Sequence, residues 1–379
     1  MMKILRFVGV FAASVAVGLM AGAGIAVAFT DTTFADFFRK LFQMSLWEVV
    51  GVPVFSIVAA VVAYFICVIV HEAGHLVCGL LTGYGFVSFR IFSFTFIREA
   101  GRLRVKRFAI AGTGGQCLLS PPEVAAERVP TIWYNLGGVV ANLLLLAVAV
   151  ALLWVVDGAL GRVFLVELIL VDGILLLLNG VPLRLGGMSN DASNVIMLRR
   201  NLTAKRSLVA QLRSNALIQQ GVRPKDMPDE IFDLPQAVDY SNPLEIAIPL
   251  MQASRLLDMG ETEAAYERFS ELMAHRDEIL GLYVKEIACE LAFAAMLTGR
   301  VEQARELLDK ELMAYIEAYR RVMSSKERLL CAKALFLDSD RDEAMRIYSA
   351  LRDRRGEYLL QGEVASDMAL MEGMLGRGV

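Results

Sequence analysis

The stretch that decides the fold is Ile69-Val70-His71-Glu72-Ala73-Gly74-His75-Leu76-Val77, at the end of a long apolar segment. Residues 49–70 include no charged residue, and about 20 apolar residues cross the hydrocarbon core of a bilayer. Residues four positions apart share one face of a helix, so His71 and His75 can direct two imidazoles at one metal ion. Glu72 lies beside His71, within reach of a water molecule at that ion. The sequence therefore predicts a metal site inside a membrane helix.

A chance match is the alternative to this prediction. The His-Glu-x-x-His pattern is short, and two histidines on a helix are more often structural than catalytic. However, the motif contains two of the three histidines of the chain. Ionisable residues in apolar spans are costly and usually functional. These facts favour the zinc site of a metalloprotease over a chance match.

The composition indicates a membrane protein with a soluble part. The chain of 379 residues is 56% hydrophobic, with a mean hydropathy of +0.51, which is too apolar for an ordinary soluble protein. Four stretches are long enough to span a bilayer, namely residues 7–29, 49–70, 131–156 and 163–181. The chain becomes charged after Asn190. We therefore expect a membrane domain at 1–200, a linker at 201–242 and a soluble domain at 243–379.

The first apolar stretch has two interpretations. Lys3 and Arg6 precede it, and Ala26-Val27-Ala28 resembles a signal-peptide cleavage site. The stretch is longer than the roughly 7–15 residues of a signal-peptide core, which favours a retained helix.

Basic residues give the predicted orientation, because Lys and Arg accumulate on the cytoplasmic side. Lys3 and Arg6 place the amino terminus in the cytoplasm, and the segment after the motif carries Arg90, Arg98, Arg102, Arg104, Lys106 and Arg107. We expect an integral protein of a cell membrane, of the bacterial type, with both termini cytoplasmic.

The five cysteines form no CxxC pair, which is typical of reduced thiols. The net charge of −3 gives no indication of nucleic-acid binding.

One helix supplies two metal ligands, so a third must come from elsewhere. Glu167, Asp172 and Asp191 are the acidic candidates near membrane depth. Asp191 follows the turn sequence Asn179-Gly180-Val181-Pro182. With these motifs the first half of the chain resembles the site-2 protease family of intramembrane zinc metalloproteases, whose members carry HExxH in one membrane helix and an Asp after an Asn-x-x-Pro turn.

The resemblance implies that His71, His75 and Asp191 bind Zn²⁺ and that Glu72 is the general base. The Leu-Asp-Gly signature of the family is absent, since the chain reads Asn190-Asp191-Ala192. Val171-Asp172-Gly173 is closer to that signature, but it precedes the turn. We favour Asp191, and Asp172 remains the alternative ligand.

Two further elements of the family have counterparts here. Gly138-Val139-Val140-Ala141-Asn142 resembles its Gly-Pro-x-x-Asn motif without the proline, which implies that Asn142 holds substrate or the oxyanion. The alternative is a hydrogen bond between helices. Strand-like stretches at 87–96 and 103–108 predict a β-hairpin, and Gly112-Thr113-Gly114-Gly115 follows. The family has a hairpin and a Gly-rich loop lining the cleft, which implies that Gly114 and Gly115 contact an extended substrate.

The second half contains an internal repeat. Gly260, Gly299 and Ser339 recur at offsets of 39 and 40 residues, and each precedes an alanine (Ala265, Ala304, Ala344) by five. This pattern is similar to tetratricopeptide arrays, which dock proteins or peptides, although their usual period is 34 residues. A plain helical bundle is the alternative.

We therefore expect a polytopic α-helical membrane protein of about four transmembrane helices, with a small β-hairpin at the cleft and an all-α helical-repeat cytoplasmic domain. Its predicted activity is zinc endopeptidase cleavage of transmembrane or signal-peptide-like segments. The expected partners are that substrate, the lipid bilayer and a cytoplasmic protein or peptide at the repeats. The alternative function is a catalytically silent membrane scaffold that recruits a cytoplasmic partner through the repeats.

Overall fold

The computed structural model of the protein describes residues 33–99, 102–107, 114–233 and 237–376. The predicted span at 7–29 lies outside the described residues, as do Lys3 and Arg6. The described chain forms two compact units. The first contains the residues up to Tyr64 together with Ala149–Val171, and the second contains Phe65–Val148 and the residues from Asp172 onward.

The first unit is helical. Helix α1 is Phe34–Gln43, a π-helical turn covers Trp47–Gly51, and α2 (Val52–Leu81) begins in this unit and continues into the second. Most of α4 (Ala159–Gly180) also belongs to the first unit. Within it, the Ser56 hydroxyl donates a hydrogen bond to the Glu167 carboxylate. Glu167 thus has a polar partner on a neighbouring apolar helix.

Three helical segments of the described chain are long and apolar enough to cross a membrane. They are Trp47–Leu81, with a mean hydropathy of 2.7, and Ala126–Leu152 and Ala159–Gly180, each with 2.2. The second includes α3 (Thr131–Leu152). Apolar side chains on their surfaces are exposed, for example Ile57 (67%), Leu144 (63%) and Leu177 (63%). The sequence predictions of apolar helices at 49–70, 131–156 and 163–181 are confirmed.

The predicted hairpin is part of a four-stranded antiparallel sheet. Its strands are β1 (Gly85–Ile91), β2 (Phe94–Glu99), β3 (Arg102–Arg107) and β4 (Gly115–Ser120), in the order β3-β2-β1-β4. The stretch 87–96, expected as one strand, is two strands joined at Phe92, whose φ of 53° reverses the chain. The turn contains no glycine or asparagine, so the strand-like sequence pattern of residues 87–96 continues through it without a break. Gly115, expected in a loop, begins β4.

After α4 the chain turns back in a short hairpin, β5 (Arg184–Leu185) and β6 (Met188–Ser189). Its turn residues Gly186 and Gly187 have φ values of 58° and 85°, the left-handed conformation that a two-residue hairpin turn needs. Helix α5 (Asp191–Arg200) and helix α6 (Leu202–Gln219) follow. The region 201–242, predicted as a linker, therefore contains a helix, whose Val209, Leu212 and Ala216 belong to a hydrophobic cluster with β4 residues.

From 237 to 376 the described residues form helices and turns, without a strand. The helices are α7 (Ala247–Met259), α8 (Thr262–Ala274), α9 (Gly281–Leu297), α10 (Val301–Leu307), α11 (Lys310–Tyr319), α12 (Ser324–Phe336), α13 (Arg341–Arg354) and α14 (Gln361–Gly376). Gly260, Gly299 and Ser339 share positive φ values of 84°, 77° and 54°. Ala265, Ala304 and Ala344 are each fully buried. The repeated turn and the repeated small residue thus have the same local structure three times.

We call residues 237–376 the helical region. Its buried charged side chains form ion pairs. Lys326 Nζ lies 2.6 Å from Glu286 Oε2, and Arg328 Nη2 lies 2.5 Å from Glu290 Oε2. The last helix, α14, packs back on α6 and α7, where Ser366 Oγ donates to Asp258 Oδ1 at 2.6 Å. The last helix thus packs against earlier helices, and charged side chains lie in the interior of the helical region.

Candidate metal centre

Three potential ligand atoms meet at one point. His71 Nε2 lies 3.1 Å from His75 Nε2 and 3.1 Å from Asp191 Oδ2, and His75 Nε2 lies 3.5 Å from Asp191 Oδ2. Among the described residues, this is the group of His, Cys, Asp and Glu side chains arranged closely enough to hold one ion. The structure therefore brings together the three predicted ligands, and neither Asp172 nor Glu167 belongs to the group.

The two imidazoles come from α2, because His71 and His75 are one helical turn apart. His75 Nδ1 lies 2.7 Å from the carbonyl oxygen of Tyr134 on α3. A carbonyl can only accept, so Nδ1 carries a proton, and the neutral form of the ring then directs the Nε2 lone pair at the centre. The Tyr134 hydroxyl in turn donates to the Cys117 carbonyl of β4 at 2.8 Å. Sheet and helix together thus hold the imidazole of His75.

Asp191 is positioned by the residue before it. Asn190 caps α5 by accepting from Ser193 N at 2.9 Å, and its Nδ2 donates to the carbonyls of Leu178 and Val181 at 2.6 Å each. These bonds tie the start of α5 to the end of α4. Asp191 is then the first residue of α5.

The Asp191 carboxylate is ionised at neutral pH. Burial alone raises its pKa, but the neighbouring His71 and His75 imidazoles outweigh that effect and lower the pKa to about 2. Its Oδ2 atom is buried and accepts no hydrogen bond. His75 Nε2 and a buried carboxylate oxygen therefore face the same point, an arrangement that suits a bound cation.

The spacing of the three atoms fits Zn²⁺. Zn–N and Zn–O bonds of about 2.0–2.2 Å in a tetrahedron place adjacent ligand atoms about 3.3 Å apart. The three separations here are 3.1, 3.1 and 3.5 Å. Two nitrogens and one carboxylate oxygen are also a ligand set that zinc enzymes use, with the fourth position left open for chemistry. The residues present thus fit the metal that the sequence predicts.

Glu72 lies beside this group and faces the start of β4. The residue is buried, with 9% of its surface exposed. A Cβ atom added at Gly115 would lie 2.6 Å from Glu72 Oε1, so a side chain at position 115 would displace the carboxylate. Gly114, the neighbouring predicted site residue, accepts a hydrogen bond from Phe92 N at 2.8 Å. Gly115 is therefore next to the candidate base, while Gly114 joins the sheet to its turn.

Arg90 stabilises the start of β4 beside Glu72. From the sequence, its charge served only to predict the orientation of the chain in the membrane. Its side chain is buried (2% exposed) and donates to the Phe92 carbonyl at 3.0 Å and to the Gly115 carbonyl at 3.1 Å. Burial lowers the pKa of its guanidinium, and the charge of Glu72 opposes this shift. An arginine inside an aromatic strand is the signal that could have identified it.

Glycines allow α3 to approach the ligands. A Cβ atom at Gly138 would lie 2.5 Å from His71 Cε1 and 2.6 Å from His75 Nε2. A Cβ atom at Gly137 would lie 2.7 Å from the carbonyl carbon of Gly74 on α2. Gly137 and Gly138 thus allow α3 to approach α2 closely, with Gly74 as the facing residue on α2.

Asn142 and Asp172 are polar, completely buried and without hydrogen-bond partners on their side-chain oxygen and nitrogen atoms. Asn142 follows Gly138 by one turn of α3, so both share one face of that helix. Asp172 lies near the buried thiol of Cys67. The hydrogen bond between helices that was the alternative role of Asn142 is therefore not formed among the described residues. Both side chains keep unused hydrogen-bonding capacity.

Comparison with protein-family models, with curated proteins and with solved structures finds no match for this chain.

Proposed function

We propose that this chain is an intramembrane zinc endopeptidase, the activity that its resemblance to site-2 proteases implies. The observation that carries the proposal is the convergence of His71, His75 and Asp191 at separations of 3.1 to 3.5 Å on a helix apolar enough to cross a membrane. Glu72 beside this group supplies the acid–base residue that hydrolysis needs.

Each residue has a defined task in this proposal. Bound Zn²⁺ supplies Lewis-acid polarisation of the scissile carbonyl and activation of water. Glu72 accepts a proton from the attacking water and later delivers it to the leaving amine. The Tyr134 carbonyl keeps the His75 imidazole in the tautomer that binds metal. Asn142, with both side-chain polar atoms unpaired, is a donor for the substrate backbone or for the oxyanion.

The sheet offers a route for binding an extended substrate. β4 is an edge strand, since it pairs with β1 on one side, and it begins at Gly115 beside Glu72. A peptide that adds to such an edge forms backbone hydrogen bonds and remains extended. A membrane helix must unwind before cleavage, because its amides are satisfied internally. We propose transmembrane or signal-peptide-like segments as substrates.

The exposed apolar surfaces of Trp47–Leu81, Ala126–Leu152 and Ala159–Gly180 support a location in the bilayer. The basic segments around the sheet and after α5 support the predicted cytoplasmic side. The helical region would then face the cytoplasm, where it docks a protein or peptide.

The decisive variant is Glu72→Gln, with Glu167→Gln as its matched control. Both replace a membrane glutamate by its amide, but Glu167 pairs with Ser56. Glu72→Gln should reduce cleavage of a model transmembrane peptide at least about 100-fold while zinc remains bound, because an amide cannot accept the proton. Glu167→Gln should retain activity. Full cleavage by Glu72→Gln would contradict the proposed mechanism.

A further inference from the structure

A cleft of about 590 Å³ lies where α3 begins and α5 passes into α6. Its wall includes Ile132 and Trp133 of α3, Arg199 and Arg200 at the end of α5, and Leu202 and Lys205 of α6. We call it the basic cleft. It lies apart from the metal centre, since α5 begins at Asp191 and ends at Arg200, about 14 Å apart along a helix.

The cations of the basic cleft form no ion pair with an acidic side chain of the described residues. Arg199 and Arg200 are exposed, and neither guanidinium forms a hydrogen bond or ion pair with a described residue. Lys205 Nζ donates to the Glu127 carbonyl at 2.7 Å, which leaves two of its protons for another acceptor. The Glu127 carboxylate is neutralised by Arg206, whose Nε lies 2.7 Å from Oε1. The cleft therefore keeps a positive charge.

The other wall of the basic cleft is apolar and exposed. Trp133 is 56% exposed, Leu202 46% and Ile132 37%. Ile132 and Trp133 lie in the first turn of α3, within the membrane-length segment Ala126–Leu152. Tryptophan at the end of an apolar helix is typical of the membrane–water interface. A free inorganic anion would make no use of this wall, whereas an amphiphile would contact both sides.

We infer that the basic cleft binds an anionic phospholipid. Its phosphate headgroup contacts Arg199, Arg200 and Lys205, and the upper part of an acyl chain lies against Ile132 and Trp133. Basic pockets beside membrane helices recognise anionic headgroups in this manner. The inference rests on the membrane location in the proposed function, and it is independent of zinc and of proteolysis.

Lipid in the basic cleft also bears on the metal centre. Helix α5 carries Asp191 in its first turn and Arg199 and Arg200 in its last. A headgroup held by both arginines fixes the end of the helix that supplies the carboxylate ligand.

The test is a lipid-binding titration of the full-length protein in neutral detergent micelles. The probes are phosphatidylglycerol, phosphatidylcholine and inorganic phosphate. Phosphatidylglycerol should bind at least about tenfold more tightly than either of the others, and each removed cation should weaken it about fivefold. The variant Arg199→Gln/Arg200→Gln should therefore lose about 25-fold in affinity. The control Arg276→Gln/Arg352→Gln removes two exposed charges from the helical region and should bind as the unaltered protein does.

A second measurement locates the lipid without changing the cleft. The variant Trp47→Phe/Trp154→Phe retains Trp133 as its tryptophan. Brominated phosphatidylglycerol should quench the fluorescence of Trp133 more strongly than brominated phosphatidylcholine at the same mole fraction. Equal quenching by the two lipids, or unchanged affinity in the double arginine variant, would overturn the inference.

The same titration in Glu72→Gln separates this inference from the proposed activity. Selective lipid binding without any cleavage in the unaltered protein would reject the protease and keep the lipid site. Extraction of the protein from cells without detergent would reject the membrane location, and the lipid site with it.

Discussion

The metal centre and the helical region differ in how their buried polar side chains are partnered. In the helical region, Lys326 pairs with Glu286 at 2.6 Å and Arg328 with Glu290 at 2.5 Å. Near the metal centre, Asn142 and Asp172 are fully buried and have no partner, and Asp191 Oδ2 accepts no hydrogen bond. Leaving a buried polar group unpaired costs about 1–3 kcal/mol. The ion pairs of the helical region hold its helices together, whereas the unpaired groups near the metal centre support the proposal of a bound ligand there.

The largest predicted effect tests the close packing at the metal centre. Gly138→Ala would place a Cβ atom 2.5 Å from His71 Cε1, so the ligand imidazoles must shift. Misplacement on this scale should reduce cleavage about 100-fold and lower zinc content, measured by elemental analysis of purified protein.

Gly173→Ala is the control for that substitution. Gly173 lies in α4, and a Cβ atom there meets nothing within 4 Å. This variant should retain zinc and activity. Loss of both functions in Gly173→Ala, or of neither in Gly138→Ala, would contradict the described contact between α3 and the ligands.

A smaller effect is expected at Arg90. Arg90→Gln leaves the Phe92 and Gly115 carbonyls without their buried donor, and the start of β4 beside Glu72 should lose its fixed position. We expect about a tenfold fall in kcat with zinc retained, since lost buried hydrogen bonds cost about 1–3 kcal/mol.

Arg90→Lys should recover part of the activity, because an ammonium can reach one of the two carbonyls. Arg98→Gln, at an exposed position of β2, is the control and should remain active. An equal loss of zinc and of activity in Arg90→Gln would indicate general unfolding instead of a displaced strand.

The smallest effect concerns pH and the helical region. Burial, and then the charges of Asp367 and Glu290, raise the pKa of Glu363 from 4.5 to about 8. The folded state therefore binds a proton that the unfolded state has lost between these values, so stability falls as pH rises towards 8. Each pKa unit corresponds to about 1.4 kcal/mol, or about 3–6 °C in Tm for a domain of this size.

A fragment of residues 202–379 should accordingly melt at a higher temperature at pH 6 than at pH 8.5, by circular dichroism. Starting at 202 keeps Arg223, whose Nη2 lies 2.5 Å from the buried carboxylate of Asp258. Glu363→Gln should reduce the difference between the two pH values. A Tm that rises with pH over this interval would be inconsistent with a partly buried, protonated Glu363.

The sequence predicted those parts of the molecule that depend on local patterns. The length of the apolar stretches predicted the three membrane-length helices. The spacing of four residues predicted that His71 and His75 lie together. The repeated turn pattern predicted the shared conformation of Gly260, Gly299 and Ser339. The turn at Phe92 carries no local signal, so one predicted strand is two in the structure. Helix α6 lies in the stretch 201–242 that was predicted as a linker, and it packs on β4 residues that are distant in the sequence.

The rest of the candidate site depends on contacts between distant residues. The carbonyl of Tyr134 that orients His75 belongs to the backbone, which any residue type would supply. The two bonds from Asn190 to the end of α4 arise from a chain reversal that only the folded structure displays. The choice between the two aspartates also depended on the folded structure, since Asp172 lies within a plausible motif, Asp191 follows another, and only Asp191 joins the group with the histidines.

The most direct test of the central claim is zinc stoichiometry in two matched variants of the full-length protein. Asp191→Asn removes a carboxylate oxygen 3.1 Å from His71 Nε2, whereas Asp172→Asn changes a buried aspartate outside the group. We predict about one zinc per chain in the unaltered protein and in Asp172→Asn, and a substantial loss in Asp191→Asn. Zinc lost from Asp172→Asn but kept in Asp191→Asn would contradict the ligand set, and zinc absent from all three proteins would contradict the metal centre itself.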